Sequence, residues 1–510
     1  MQRLTDYTSY KDAHKFFTKD ALWDLFHGNR DNLNIAYECI DRHQSTRAAI
    51  NIANSNGNDQ TITFGDLSTW SNRVANWLLT KGFQPGNRVA IMLEPSLEFY
   101  ATLFGVMKAG FVAVPLFTAF GSDGLSSRLE DCKPVLLILD PEKPELSSSN
   151  NVETVIADPN FLKSLLKFET TFTTSTTSAD MAMYQYTSGT SRALPEAVKH
   201  HHRAIVTVMI AALYATGVRP GDKYMCPSSP AWGHGLWHGT LAPLALGIEI
   251  STYAGKFDPE KLLAAIEKFE ITNLSAAATH YRMMRNINNP KKYSLKLKKL
   301  SFTGEPLDTE TAHWAKQTFG HDICSIYGST EVGVIIANYP GSDDLPVKIG
   351  ALGKPLPGCN VSILDQHGKT CQVGEIGEIM LSRGDSFFPV KDLGSIDEDG
   401  YYFHHGRADD VIISAGWTMS AVEIEDILLK HPDITEAAVI GVPDVQRGKI
   451  VKAFIVSKRP ESIAFNKEVQ SFVRDRLSRH EYPRLIKSVN ELPKTPAGKV
   501  NRRALREQEN

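Results

Sequence analysis

The stretch Thr187-Ser-Gly-Thr-Ser191 sets four hydroxyls around one glycine, and Arg192 follows it. Backbone N–H groups and hydroxyls in such a loop can surround phosphate oxygens. It is not the common P-loop, which needs a second glycine followed at once by Lys and Ser or Thr. For the loop alone, a polar connection between two elements is an equally good reading. Further along, Tyr327-Gly-Ser-Thr-Glu331 brings hydroxyls and a carboxylate together after an apolar run. Near the C-terminus, Pro493-Lys-Thr-Pro-Ala-Gly-Lys499 puts a lysine in a loop bearing Pro and Gly, an odd place for a structural lysine. His200-His-His202 invites a metal reading, but consecutive side chains cannot all face one ion, and no metal is assigned there.

The elements around these residues alternate. Met181–Tyr186 reads as a strand feeding the hydroxyl loop, and Ala204–Leu213 beyond it reads as a helix. Thr63-Phe-Gly-Asp66 has the look of a capping box before Leu67, Trp70, Val74, Trp77 and Leu78 at helical spacing. Arg88–Leu93, Ser96–Lys108 and Phe111–Leu116 then read as strand, helix and strand, a crossover that predicts a parallel, doubly wound sheet. Val135–Leu139 is a further strand. Asp258–Phe269 reads as a helix, Thr272–Ala276 as a strand, and Tyr281–Asn286 as the start of a helix. Leu300–Thr303 runs into Gly304-Glu-Pro306, and Cys324–Tyr327 ends in the Gly328 motif. Short strands among turns between about 340 and 400 suggest a small β-rich subdomain. After Arg407 the pattern is a compact α+β unit, with helices over Ala421–Lys430 and Lys467–Ser478 and strands over Ala437–Val442 and Val451–Val456. Residues 1–60 allow little assignment. Pro141–Asn150 reads as a surface loop, and Thr170–Ser178, nearly all Thr and Ser, as a flexible connector.

A chain of 510 residues is too long for one core and calls for two or more domains. Hydrophobic residues at 42% and charged residues at 22% are ordinary for a soluble globular protein. With 55 basic and 58 acidic residues the net charge is −3, which argues against a nucleic-acid surface. Six scattered cysteines lack metal or disulfide spacing and suit reduced, cytosolic thiols. No signal-type h-region and no run of about 18 apolar residues is present, so no membrane span and a cytoplasmic location are expected.

Taken in order, Thr187–Ser191, Gly304-Glu305-Pro306, Tyr327–Glu331, Asp392, Gly406-Arg-Ala-Asp-Asp-Val-Ile412, Ser414-Ala-Gly416 and Pro493–Lys499 form a series along most of the chain. In that series the chain resembles the adenylate-forming superfamily of acyl-CoA synthetases, adenylation domains and luciferases. It looks most similar to short- and medium-chain or aromatic acyl-CoA synthetases. The resemblance implies an α/β protein with a large N-terminal domain of doubly wound sheets and a small β-rich subdomain, then a small mobile α+β C-terminal domain. The implied boundaries are an N-terminal adenylation domain over 1–406, a hinge over 407–412 and a mobile domain over 413–510. It implies an AMP-forming ligase that uses ATP, Mg²⁺ and CoA to activate a small carboxylic acid, without nucleic-acid partners. The oligomeric state is left open, a homodimer included.

The resemblance also implies roles. Thr187, Ser188, Gly189, Thr190 and Ser191 would hold the β- and γ-phosphates, Thr330 the α-phosphate, and Glu331 the Mg²⁺ ion. Tyr327 would stack on adenine, with Gly304, Glu305 and Pro306 lining the same pocket and Gly328 and Ser329 beside it. A buried strand-end tyrosine is the plainer reading of Tyr327, and the two are compatible. Asp392 would bind the ribose hydroxyls and Arg407 the ribose or phosphate. Lys499 would stabilise the adenylation transition state, and Asp409 would be the pivot about which the small domain turns. Ser414 and Gly416 would face the thiol after that turn, although Gly416 also fits a plain turn. Trp232, His234, Gly235, Trp237 and His238 would shape the acyl pocket, with core packing accounting equally well for Trp237.

The chain departs from the family pattern in three places. The hydroxyl loop lacks the second glycine and gains one residue, and Glu196 replaces the usual lysine. We hypothesise that Arg192 supplies the missing cation; Arg192→Ala should then raise the KM for ATP, and unchanged ATP kinetics would refute it. Val390-Lys391 stands before Asp392 where Thr-Gly is usual, and Thr418 stands where many relatives have a basic residue. Two other readings are carried: loading of a carrier-protein thiol, and a catalytically impaired nucleotide-binding relative.

Overall fold

The computed structural model describes residues 2–509 apart from 148–150, 187–195, 330–331, 385, 408–411, 415–416, 420, 445–447, 478–481 and 495–499. At 383, 407, 413, 414, 417, 418, 423 and 448 it describes the backbone alone. The chain divides into two compact units, residues 1–349 with 355–358, and residues 350–354 with 359–510.

The first unit holds two sheets that are parallel except at their outer strands. One runs in the order Thr154–Ile156, Leu136–Leu139, Arg88–Met92, Val112–Pro115, Met181–Tyr186 and Ala197–His201. Its central strands are continuous apolar runs, as strands covered on both faces must be. The other includes, in order, Gln60–Thr63, Ala48–Asn54, Glu249–Ala254, Lys223–Met225, Asn273–Ala277, Lys299–Thr303, Ile323–Ser329 and Gly333–Ala337. Its interior pairs are parallel, and the Gln60–Thr63 and Gly333–Ala337 strands pair antiparallel.

Local chemistry fixes the helices between the strands. Thr63 accepts from the Asp66 N–H while Asp66 accepts from that of Thr63, the reciprocal capping expected from the sequence. Ser96, Asp258 and Asp308 cap Leu97–Lys108, Pro259–Lys268 and Thr309–Phe319 in the same way from one side. Tyr281, fully buried, ties adjacent strands together by donating its hydroxyl proton toward the Ser301 carbonyl at 3.0 Å, with the Leu274 carbonyl at 3.2 Å.

The second unit begins with an antiparallel ribbon that includes Val361–Leu364, Gly377–Arg383, Ser386–Ile396 and Tyr402–Arg407. It continues with a three-stranded sheet of Ile434–Asp444, Gly448–Ser457 and Leu485–Ser488. Helices Ala421–Leu428 and Ile463–Arg474 bury Ile424, Leu428, Phe465, Val469 and Val473 in its core.

Several sequence expectations change. The helix beyond the hydroxyl loop starts at Ala204 as expected, but a strand that the sequence did not mark, Ala197–His201, comes first and returns antiparallel to Met181–Tyr186. Residues 187–195 therefore connect a hairpin, so a helix N-terminus does not begin at their end. Thr170–Ser178 is tied down along its length. Thr176 is buried and donates to the Leu33 carbonyl at 2.8 Å, and Asn72 and Asn76 donate to the carbonyls of Thr170 and Thr171. A run of hydroxyls suggests a linker by composition, but here polar groups from neighbouring elements satisfy it. The helix expected from Lys467 spans Ile463–Arg474, entered through a Ser462 cap. That expected from Tyr281 spans Ala278–Arg285. Residues 48–63 supply two strands that no clear alternation had marked.

Candidate active site

In the first unit, strand Ile323–Ser329 carries Tyr327, half-buried, with Gly328 and Ser329 at its end. Gly328 is needed there: a Cβ would come within 2.0 Å of the Gly333 carbonyl oxygen on the paired strand. Thr330 and Glu331, which follow, lie outside the described residues. In the neighbouring strand, Thr303 donates to the Ile326 carbonyl at 3.1 Å and leads into Gly304, whose φ of 104° suits only glycine. Gly304 and Pro306 are exposed and Glu305 is half-buried, and the strand that leads into them pairs in parallel with the Tyr327 strand.

One residue that sequence reading missed holds this turn. Arg282 donates to Glu305 Oε1 at 2.5 Å, to the Pro306 carbonyl at 2.7 Å and to Asp308 Oδ2 at 3.0 Å. Arg285, one turn along, reaches Asp308 Oδ1 at 2.9 Å. The available signal was two arginines three apart on a helix, facing two acids three apart on a loop.

The hydroxyl loop, Thr187 to Ser191 with Arg192, is outside the described residues, but its two ends are not. Tyr186 donates its hydroxyl proton to Asp131 Oδ2 at 2.7 Å, and the Ala197 N–H donates to the same oxygen at 3.2 Å. One carboxylate on helix Ser122–Cys132 thus clasps both stems.

The residues expected to shape an acyl pocket lie in the first unit as well. A π-helical segment, His234–Leu241, places His234 between two hydroxyls, Ser228 Oγ at Nδ1 and Ser275 Oγ at Nε2, each 2.9 Å away. Cys226 Sγ lies 3.8 Å from Nδ1, its thiol pushed up to about 12 by burial. Gly235 is buried where a Cβ would meet the Ser229 and Ser228 carbonyls at 2.2 and 2.3 Å. Trp232 keeps some exposure and packs against Phe117, ring centroids 5.2 Å apart. Trp237 is buried, donates to Gln185 Oε1 at 2.9 Å and packs at a tilt against His200, ring centroids 4.9 Å apart. Its ring therefore does core work. The neighbouring histidines diverge: His201 Nδ1 pairs with the Ala179 carbonyl, and His202 Nδ1 accepts the Ile35 N–H. Among the described residues no group of three or more His, Cys, Asp or Glu could hold a metal ion.

In the second unit, the backbones of Asp392 and Arg407, fifteen apart in sequence, pair directly across the antiparallel ribbon. Asp392 is buried, with His404 Nε2 at 3.8 Å from Oδ1. Lys391, which stands where the family has glycine, takes φ = 66°. A lysine thus bears a left-handed conformation. Ser414 ends strand Ile412–Ser414, and Asp409 and Gly416 lie outside the described residues.

Lys499 is also outside them, but the residues around it are firmly held. Lys494 and Val500 form a β-bridge, and the Asn501 N–H donates to the Pro493 carbonyl at 2.7 Å. Arg502 grips buried Glu425 with Nη2 to Oε2 at 2.5 Å and Nε to Oε1 at 3.2 Å. Glu425 in turn accepts the Val439 N–H at 2.7 Å.

The family model for AMP-binding enzymes matches residues 38–389, and that for the AMP-binding enzyme C-terminal domain matches residues 423–499. The acetyl-coenzyme A synthetase of Bacillus subtilis is 31% identical, over 98% of this chain and 94% of its own. The 4-hydroxybutyrate–CoA ligase 1 of Metallosphaera sedula is 30% identical, over 89% of this chain and 86% of its own. Among solved structures, an acyl-CoA synthetase of Brucella canis is 30% identical with a TM-score of 0.76, covering 99% of each chain. An anthranilate CoA ligase in complex with anthranoyl-AMP is 25% identical with a TM-score of 0.82, covering 93% of this chain and 97% of that one. With matches that run through both units, the chain belongs to the family of AMP-binding enzymes.

Proposed function

We propose that the protein is an AMP-forming acyl-CoA ligase acting on a small carboxylic acid. The observation that carries this reading is the likeness, over nearly the whole chain, to proteins named as CoA synthetases and ligases. In the first half-reaction a carboxylate oxygen attacks the α-phosphorus of ATP, and the bond to pyrophosphate breaks. In the second, the CoA sulfur attacks the acyl carbon and AMP leaves. The first step gathers anions, so donors and cations aimed at the phosphates lower its barrier.

The residues divide that work. Tyr327 and the Gly304–Pro306 turn, pinned by Arg282, would receive the adenine, and Asp392 with Arg407 would take the ribose and phosphate. Thr187 to Ser191 and Thr330 would hold the phosphates, with Arg192 offering a local cation. Mg²⁺ would arrive with ATP and be met by Glu331. Lys499 would carry positive charge to the adenylation transition state. Residues 1–406 would form the adenylating domain, 407–412 with Asp409 the hinge, and 413–510 the domain that turns to present Ser414 and Gly416 to CoA. Trp232, His234 and Gly235 would border the acyl group. A cytoplasmic location fits this reading; no helix among the described residues is long and apolar enough to cross a membrane.

Pyrophosphate release measured with ATP, Mg²⁺ and a panel of carboxylates, with and without CoA, tests the proposal. Turnover accelerated by CoA is expected, and no turnover across a broad panel would overturn it. Lys499→Ala should lose adenylation yet still form thioester from supplied acyl-adenylate; equal loss of both half-reactions would refute the division of roles.

A further inference from the structure

His234, His238 and His280 lie deep in the first unit, yet each keeps accessible surface, as side chains do when they border an internal hollow. The rings of His234 and His238 are 6.3 Å apart. His280 follows strand Asn273–Ala277, the strand whose Ser275 holds His234. Ser228, Ser275 and Cys226 lie against His234, and the Phe257 ring lies tilted against His280 with centroids 4.4 Å apart.

These imidazoles are neutral. Burial holds His234 at about 3 and His238 and His280 at about 4, and no charged carboxylate, lysine or arginine among the described residues counters it. His280 accepts the Ala277 N–H at Nδ1, 3.2 Å away, so its own proton sits on Nε2. Among the described residues nothing accepts that proton. His238 leaves Nδ1 buried without a partner. His234, by contrast, has both nitrogens engaged and is fixed in place. The hollow thus holds a bare N–H donor and a second under-used ring, on a rigid and partly aromatic frame.

We propose that this hollow selects carboxylic acids whose acyl part ends in a neutral hydrogen-bonding oxygen, over acids ending in a methyl group and over dicarboxylates. The inference rests on the acyl-ligase reading above and on its assignment of Trp232 and His234 to the acyl pocket. A hydroxyl can accept from the His280 N–H. A methyl group of the same size leaves that donor dry, and an unpaired buried donor is costly. A second carboxylate would demand an imidazolium, which burial disfavours at all three rings.

Two matched series test this, each varying only the end group: pentanoate, γ-hydroxybutyrate and glutarate, and para-toluate, para-hydroxybenzoate and terephthalate. Acid-dependent pyrophosphate release gives kcat/KM for each. The hydroxyl member should lead the methyl member by about 10- to 100-fold in the series that fits, with the dicarboxylate lowest. His280→Phe, which keeps the ring and removes its N–H, should bring that ratio to within about three-fold while the methyl acid is still activated. His238→Phe, with the same direction expected, serves if the first variant does not fold. A wild-type preference for the methyl member, or an unchanged ratio in the folded variant, overturns the inference and leaves the ligase reading intact. No turnover with any acid, with or without CoA, overturns that reading and the inference with it.

Discussion

Replacing Arg282 with Met should loosen the Gly304–Pro306 turn and weaken nucleotide binding without touching the nucleotide. The guanidinium makes three bonds, to Glu305 at 2.5 Å, the Pro306 carbonyl at 2.7 Å and Asp308 at 3.0 Å. Buried charge-assisted bonds of this kind are worth about 1.5–3 kcal/mol each. Here the Arg282 side chain is 31% exposed and that of Glu305 is 24% exposed, so solvent screening brings each to roughly 1 kcal/mol. The total, about 2–3 kcal/mol, is what holds the turn in one shape. Only the part that separates this shape from its alternatives reaches binding, so the KM for ATP in pyrophosphate exchange should rise about ten-fold. Arg282→Lys, able to keep one bond, should fall between. Thioester formation from supplied acyl-adenylate at saturation should change little. A stable variant whose KM for ATP stays within two-fold of wild type would show that the turn needs no such clamp, and would refute the reasoning.

Other expectations follow from single features. Lys391→Gly relieves a left-handed φ in a non-glycine residue and should raise stability by about 0.5–1 kcal/mol, read as a higher urea midpoint; a lower midpoint would contradict the strain. Glu425→Gln weakens the grip on Arg502 beside the Lys499 loop. Adenylation should drop about ten-fold or more with thioester formation nearly unchanged, and parallel loss of both would mean a purely structural role. Acid should also destabilise the fold. The folded pKa values of His234, His238 and His280 lie below the unfolded value of 6.5, so their contribution is fully present above pH 6.5 and declines as pH falls toward 4 to 3. At pH 5 each ring costs about 2 kcal/mol relative to neutrality, and equal urea midpoints at pH 7 and pH 5 would rule this out.

Much of the fold was legible because its signals are local. Parallel strands buried on both faces declare themselves as apolar runs, and Thr63, Ser96 and Asp258 mark helix starts by side chains that cap them. What escaped depends on distant partners. The return strand Ala197–His201 carries Lys and two His, a polar face that earns no strand assignment until Met181–Tyr186 lies beside it. Thr170–Ser178 resembled a linker until Asn72, Asn76 and Asn34 supplied its hydrogen bonds. The site shows the same division. Tyr327, Gly304 and Asp392 could be named from motif order, whereas Arg282 and His280 gain meaning only from what they face. Asp392 and Arg407 were named separately, and their pairing is a matter of strand register.

The clasp at Asp131 has a consequence for how this protein can vary. Because Tyr186 and Ala197 are moored to the same carboxylate oxygen, the span of the hairpin mouth is set by the helix behind it. Residues can enter or leave the nine-residue stretch between 187 and 195 without shifting the register of either stem. The segment can therefore be treated as a cartridge: loops of other lengths and charges can be exchanged at that mouth, and their effects on nucleotide affinity compared on an unaltered sheet.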